Sequence, residues 1–399
     1  MKGSSDLEVK HETVVARFEE YYKLNRLLFS SVDSALSPLF HKYGSNYLSC
    51  NAPRKLLLSN AGHLGDAIIT TGLLPVLHAI FPGIEIGFLC GSWASPIVDN
   101  HPLISRIHLL DHWYLQRNTV PRWKRFINYS FIDKKRIISE IRDQSYDVTI
   151  DVRSWFPNFI TILWQADIPV RIGYNRVGFG PLLTHSFNYR YNRRHELEYQ
   201  FDLLIALGVD PSALALAKPC LPPVSAASTN EAQSIVSSLT RYRVLHVASS
   251  TPSRDWPIAN WQTLAHNLIA RNIIPVLTGK GQRDLMLTSQ IAKAVPNCIV
   301  ACDHLSWGGL VALIAGAEMV YSVETSVGHV AAALGKPVVS IYGGMADSMH
   351  WKPYGNTAIV ATNNLSCSPC FIKQGCRTRE CLTQLNVDVV TATANKLIS

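Results

Sequence analysis

No stretch of about eighteen uncharged apolar residues occurs in this chain, so no membrane-spanning helix is expected. Nor does MKGSSDLEVKHETVV hold the apolar run of a secretory signal. The nine cysteines are therefore expected as reduced thiols or metal ligands in the cytoplasm, not as a disulfide framework. Charged residues make up only 17% of the chain against 47% hydrophobic, which excludes a disordered protein. Also missing are a short-period repeat, the GxGxxG dinucleotide fingerprint, a convincing DxD-type metal pair and any named nucleic-acid motif. These absences disfavour NAD binding and metal-assisted phosphate chemistry, and no nucleic-acid partner is expected. What the chain does have is length and positive charge. Its 399 residues suit two domains, and a formal net charge of +8 favours anionic partners such as nucleotides, phosphorylated sugars or anionic lipid.

Strand and helix patterns alternate along most of the sequence. Residues 1–52 read as an amphipathic helical extension, with Phe18, Tyr21, Tyr22, Leu24, Leu27, Leu28 and Phe29 on its apolar side. Residues 53–220 follow as a first domain. Its strands are expected at Lys55–Ser59, Ile84–Cys90, Ile107–Leu110 and Val148–Asp151, and a long helix starts near Asp66. The segment 221–230, LPPVSAASTN, has linker composition. A second alternation, 231–399, runs through strands at Val244–Ala248, Ile274–Thr278, Cys298–Ala301, Val320–Val323 and Val338–Tyr342. Helices are expected at 259–271, 282–294 and 307–316. This pattern predicts two α/β domains with doubly wound parallel sheets.

Three turns carry candidate chemistry. In VYSVETSVGHVAAALGKPVV a strand meets a small-residue helix through Glu324, Thr325, Ser326, Gly328 and His329. Free N–H groups and hydroxyls there suit phosphate oxygens, and an ordinary βα turn is the alternative. In SNAGHLGDAI, Gly62 and Gly65 flank a turn that ends on Asp66. Asp66 reads either as a helix cap or as a carboxylate at the sheet edge where open α/β folds place their chemistry. In SSTPSRDWP, Ser253 and Arg254 follow a strand directly, and a guanidinium offers paired donors to a diphosphate.

Together these turns resemble the heptosyltransferase family, glycosyltransferase family nine. The matching segments are Gly62-His63-Leu64-Gly65-Asp66, Arg254-Asp255-Trp256-Pro257, and Glu324-Thr325-Ser326-Val327-Gly328-His329 ahead of AAALGKP. The resemblance runs from about residue 56 to the end and is thin between about 112 and 190. It implies a GT-B fold, two Rossmann-like domains facing across a cleft. It implies Asp66 as general base on the acceptor hydroxyl and Arg254 beside the departing nucleoside diphosphate. Gly65, Ser253, Glu324, Thr325, Ser326, Gly328 and His329 would line the donor phosphates. Glu324 stands where the family usually has Asp. The family's usual donor is an ADP-activated heptose and its usual acceptor a lipopolysaccharide core sugar. Transfer is then expected to be inverting, by single displacement, with no metal required.

Other residues carry weaker signals. Asp284 could meet the donor ribose or simply charge a helix N-turn. His63, Arg153 and Trp155 are expected to touch the acceptor. Cys367, Cys370, Cys376 and Cys381 have spacing that could wrap a structural zinc or iron ion, against free or paired thiols pinning the tail. His246 reads as a core histidine. The basic and aromatic stretch from Tyr114 to Arg194 suits a phosphorylated glycolipid or an anionic membrane surface, which would place the protein in the cytoplasm at the inner face of a bacterial inner membrane. Three alternatives stand beside lipopolysaccharide transfer: heptosyl transfer to a protein acceptor, a sugar-nucleotide epimerase, and a non-catalytic nucleotide-sugar binder.

Overall fold

The structure, a computed structural model, describes residues 11–40, 52–116, 119–363, 365–372 and 374–398. Parts of the expected N-terminal extension, 1–10 and 41–51, lie outside the described residues. The chain divides into two compact units. One comprises residues 19–191 with 196–222. The other comprises 223–399 with 192–195 and the N-terminal residues to Phe18.

In the first unit six strands form one parallel sheet: β1 (Lys55–Asn60), β2 (Glu85–Cys90), β3 (Arg106–Leu109), β4 (Val148–Asp151), β5 (Val170–Tyr174) and β6 (His185–Phe187). Their spatial order is 3-2-1-4-5-6, that of a Rossmann sheet. Leu56, Leu57 and Leu58 are all fully buried, because a parallel sheet covered on both faces hides every side chain of its central strand. This is why β1 reads as an unbroken apolar run. The helix expected from Asp66 is two helices, Leu64–Thr71 and Leu74–Ile80. The chain turns at Gly72, where a Cβ would lie 2.8 Å from Leu197.

The second unit repeats the plan with β7 (Tyr242–His246), β8 (Ile274–Thr278), β9 (Ile299–Val300), β10 (Met319–Val323), β11 (Val338–Tyr342) and β12 (Ala358–Thr362). The order β12-β11-β10-β7-β8-β9 is the same 3-2-1-4-5-6 arrangement read from the other edge. Its core centres on Trp261, packed edge-on against Trp256 at 5.1 Å. The helices Ile258–Ile269, Gln282–Ala294 and Trp307–Gly316 lie within a residue or two of their expected spans. Three strands, β5, β6 and β12, have no counterpart in the sequence reading. All lie toward a sheet edge, where partial exposure interrupts the apolar run.

One helix, His11–Phe40, opens the described chain. Val14 and Phe18 are buried in the second unit, with Phe18 edge-on to Phe371 at 5.3 Å. Tyr22 and Phe29 pack on Trp155 and Phe156 of the first. Tyr21, Leu24, Leu27 and Leu28, expected on the packed side, are exposed.

Candidate active site

A doubly wound sheet has one place where successive strands diverge to opposite edges, and ligands bind outside the strand ends there. In the first sheet that point lies between β1 and β4, which run in register to Ser59 and Asp151. The segments that follow these two strands carry Asp66, in the first turn of the helix Leu64–Thr71, and Arg153. Arg153 Nη1 donates a short hydrogen bond to Asp66 Oδ1, and both side chains are nearly buried, 11% and 13% exposed. The second carboxylate oxygen accepts the backbone N–H of His63 at 2.8 Å. Asp66 is thus the third residue of its helix, reaching back to the capping position, and not the cap itself. Burial pushes its pKa up, but the charges of Arg153 and His63 and the two hydrogen bonds outweigh this and hold the carboxyl below its usual range.

Glycine is required at position 62. A Cβ there would lie 2.6 Å from Asp66 Cβ and Cγ and 2.7 Å from Arg153 Nη1, so any side chain would break the pair. The Gly62 N–H bonds Asn60 Oδ1 at 2.7 Å, and its carbonyl accepts Trp93 Nε1 at 2.8 Å. Gly65 is the second residue of the helix, in this same turn. Behind the pair, buried Asp151 accepts the backbone N–H of Arg153 at 3.0 Å and of Phe159 at 2.7 Å. Burial nonetheless raises its pKa to about 6. Trp155 lies in an aromatic cluster: the Arg176 guanidinium sits 4.4 Å from its ring centre, and Tyr22 packs edge-on at 4.8 Å.

The second sheet has the same construction. Its divergence point lies between β7 and β10, with His246 and Ser322 in register. The loop after β7 carries Ser253 and Arg254, and the turn after β10 carries Glu324 and Thr325. Arg254 Nη1 lies 3.1 Å from Glu324 Oε1. Burial raises the Glu324 pKa, with Arg254 opposing it. The other Glu324 oxygen, Arg254 Nε and Ser253 Oγ are buried with no hydrogen-bond partner among the described residues. Such atoms are costly unless a bound molecule meets them. Thr325 caps the helix Ser326–Ala333, its Oγ1 accepting Val327 N–H at 3.3 Å and lying 2.9 Å from Ser322 Oγ. Ser326 opens that helix. Gly328 packs it: a Cβ would approach Ser340 Oγ to 2.9 Å. His329, partly buried in the same turn, is near enough to His195 to help depress it. Burial is the larger cause, and His195 falls to about 3.

Asp284 lies in the first turn of the helix Gln282–Ala294 and accepts the Lys280 N–H at 3.0 Å. Its neighbour Arg283, absent from the sequence reading, forms a short ion pair with Asp255 and donates to the Ser249 carbonyl at 3.0 Å. Arg283 thereby braces the loop that presents Arg254. The signal was an arginine just past a strand end. Trp93 was missed because it follows β2 with no local motif. His246 bonds Thr278 at 3.0 Å, and burial lowers it to about 4, as suits a core histidine. Cys367, Cys370, Cys376 and Cys381 line one cavity. Yet among the described residues no group of three or more His, Cys, Asp or Glu is placed to hold a metal ion. The four thiols do not fit a coordination sphere in this arrangement.

Two Rossmann-like units, each with a carboxylate–arginine pair at its divergence point, have the architecture of the GT-B glycosyltransferases. The model of glycosyltransferase family 9 (heptosyltransferase) matches residues 135–380, well over half of the chain, and the protein belongs to that family. It is similar to lipopolysaccharide heptosyltransferase 1 of Pseudomonas aeruginosa, 24% identical over 80% of this chain and 86% of the relative. Lipopolysaccharide heptosyltransferase 3 of Escherichia coli is 23% identical over 74% and 85%. Among solved structures, a family 9 glycosyltransferase from Veillonella parvula superposes with a TM-score of 0.72 at 21% identity, covering 88% of this chain and 99% of that one. The E. coli heptosyltransferase WaaC bound to ADP-2-deoxy-2-fluoro heptose superposes at 0.61 with 18% identity, covering 86% and 99%.

Proposed function

We propose that the enzyme transfers a heptose from an ADP-heptose donor to a lipopolysaccharide core acceptor, with inversion and by single displacement. The observation that carries this reading is the Asp66–Arg153 pair at the first divergence point. A carboxylate held below its usual pKa stays ionised, the form that can accept a proton. As the acceptor oxygen bonds to the anomeric carbon, its proton passes to Asp66. The bond from that carbon to the diphosphate breaks, and its electron pair leaves on the phosphate oxygen. Arg254 and the Ser326–Ala333 helix N-terminus neutralise that developing charge, so no divalent metal is needed. Arg254 Nε and Ser253 Oγ, unpartnered among the described residues, find acceptors on the diphosphate. The names of the relatives support the acceptor class, and the nucleotide in the WaaC structure supports the donor.

Calorimetric titration with ADP, UDP, GDP and CDP, with and without EDTA, tests the donor assignment. Selective ADP binding that EDTA does not change is the expected result. A preference for another diphosphate discards the heptose donor, and no binding to any of them discards the phosphate site.

A further inference from the structure

Between β3 and β4 the chain presents an apolar surface that the site does not use. The helix Arg122–Asn128 runs through a π-helical turn, Tyr129–Asp133, into the helix Lys134–Arg142. Trp123, Phe126, Ile127, Phe131 and Ile132 project from this element and are between 44% and 63% exposed. Five large apolar side chains left in water on one short element are unusual for a surface that only faces solvent.

The π-turn is what gathers them. At about 100° per residue, an uninterrupted α-helix would carry Ile137 about 80° away from Tyr129. The extra residue of a π-turn takes back about 100°, which returns Ile137 and Ile141 to the line of Tyr129. These three are the buried residues of the element. The same correction draws Phe131 and Ile132 toward the stripe begun by Trp123 and Ile127. The result is one face packed on the core and one apolar face turned outward.

Charge identifies what covers that outward face. From 121 to 136 the sequence holds six basic residues, Arg122, Lys124, Arg125, Lys134, Lys135 and Arg136, against a single acid, Asp133. Arg122, Lys124, Lys135 and Arg136 are exposed. Two of the cations flank the aromatics directly: Lys124 Nζ lies 5.3 Å from the Trp123 ring centre, and the Arg122 guanidinium 5.6 Å from that of Tyr114. An apolar stripe with an interfacial tryptophan, set in basic side chains, matches the layering of an anionic bilayer surface, acyl chains beneath and phosphates above. We infer that residues 121–136 dock this enzyme on an anionic membrane surface, with Trp123 and Phe131 entering the acyl boundary and the flanking cations meeting lipid phosphates. The family model begins at residue 135, so nearly all of this stretch lies outside the matched region. The inference holds whichever sugar is transferred.

Co-sedimentation of the full chain with vesicles tests it, comparing phosphatidylcholine alone with equal parts phosphatidylcholine and phosphatidylglycerol. Binding is expected to the anionic vesicles only, and to fall steeply with added salt. The double variant Trp123→Ser/Phe131→Ser should weaken it by about tenfold or more. Lys124→Glu/Lys135→Glu, which leaves the apolar stripe intact, should do the same. Both sets are exposed, so their melting temperatures should match the parent, and either set alone suffices if the other misfolds. Absence of binding to anionic vesicles, or equal binding by the variants, overturns the proposal. So does concentration-dependent self-association that Trp123→Ser/Phe131→Ser abolishes, since the face would then join two copies of the chain.

Discussion

Substituting both members of the Asp66–Arg153 pair separates their catalytic and structural roles. Each side chain is nearly buried, and each is the other's charge partner. Removing one member of such a pair leaves an uncompensated buried charge and costs about 3–5 kcal/mol, whereas removing both is close to neutral. Arg153→Met should therefore destabilise strongly, because Asp66 keeps only the His63 N–H and the His63 side chain to oppose burial. Asp66→Asn should cost less, since the amide oxygen still accepts one donor. The double variant Asp66→Asn/Arg153→Met should recover most of the stability lost in Arg153→Met. Activity should behave otherwise. A general base contributes about 10²–10⁴-fold, so Asp66→Asn and the double variant should both lose at least about a hundredfold in kcat while donor affinity holds. Urea unfolding gives the stability cycle, and release of the nucleoside diphosphate gives the rates. Turnover near the parental level in the double variant, once it is refolded to parental stability, would refute the assignment of Asp66 as base.

Arg254→Ala should weaken ADP binding by about tenfold to a hundredfold, the worth of a hydrogen bond to a charged group, and calorimetry with an unchanged affinity would remove Arg254 from the donor site. Asp151, raised on folding from an ordinary 3.8 to about 6, adds stability below pH 3.8 that is lost as pH rises through 6. In Asp151→Asn this titration is gone, so the variant should gain about 3 kcal/mol relative to the parent between pH 4 and pH 8. A pH-independent difference in urea unfolding would show that Asp151 is not raised. Prolonged dialysis against EDTA should leave both ADP affinity and the melting temperature unchanged, because the four C-terminal thiols are not set as ligands. A fall in melting temperature that zinc or iron restores would contradict that.

The fold is most legible where a strand is buried along its length, although the edge strands β3 and β9 are also expected, at Ile107–Leu110 and Cys298–Ala301. β1, β7 and β10 lie at the centre of their sheets, and these three and β11 are buried along nearly all of their length. β6 and β12 close the sheet edges, and β5 lies next to an edge. These three are only partly buried. The single long helix expected from Asp66 is interrupted after Thr71, just ahead of Pro75, which has no N–H to continue the helical ladder.

The same division separates the legible from the hidden half of each site. Asp66, Arg254, Glu324 and Thr325 announce themselves because each stands beside a glycine turn or a helix start within a few residues of a strand. Which of them pair, and that Arg153 is the partner of Asp66, is not written in the local sequence. Arg153 lies 87 residues beyond Asp66, and only the strand order, which makes β4 the neighbour of β1, brings the two together. Glu324 reaches Arg254 because β10 is likewise the neighbour of β7. In both units the chain places a carboxylate and an arginine on the two loops that diverge from adjacent central strands, so a single topological rule builds both pairs. The pairs differ in one physical respect. At Asp66 the surrounding donors and charges outweigh burial and lower the carboxyl pKa; at Glu324 burial outweighs its arginine and raises it. That difference supports the proposal that the base lies in the first unit and that the leaving diphosphate is met in the second.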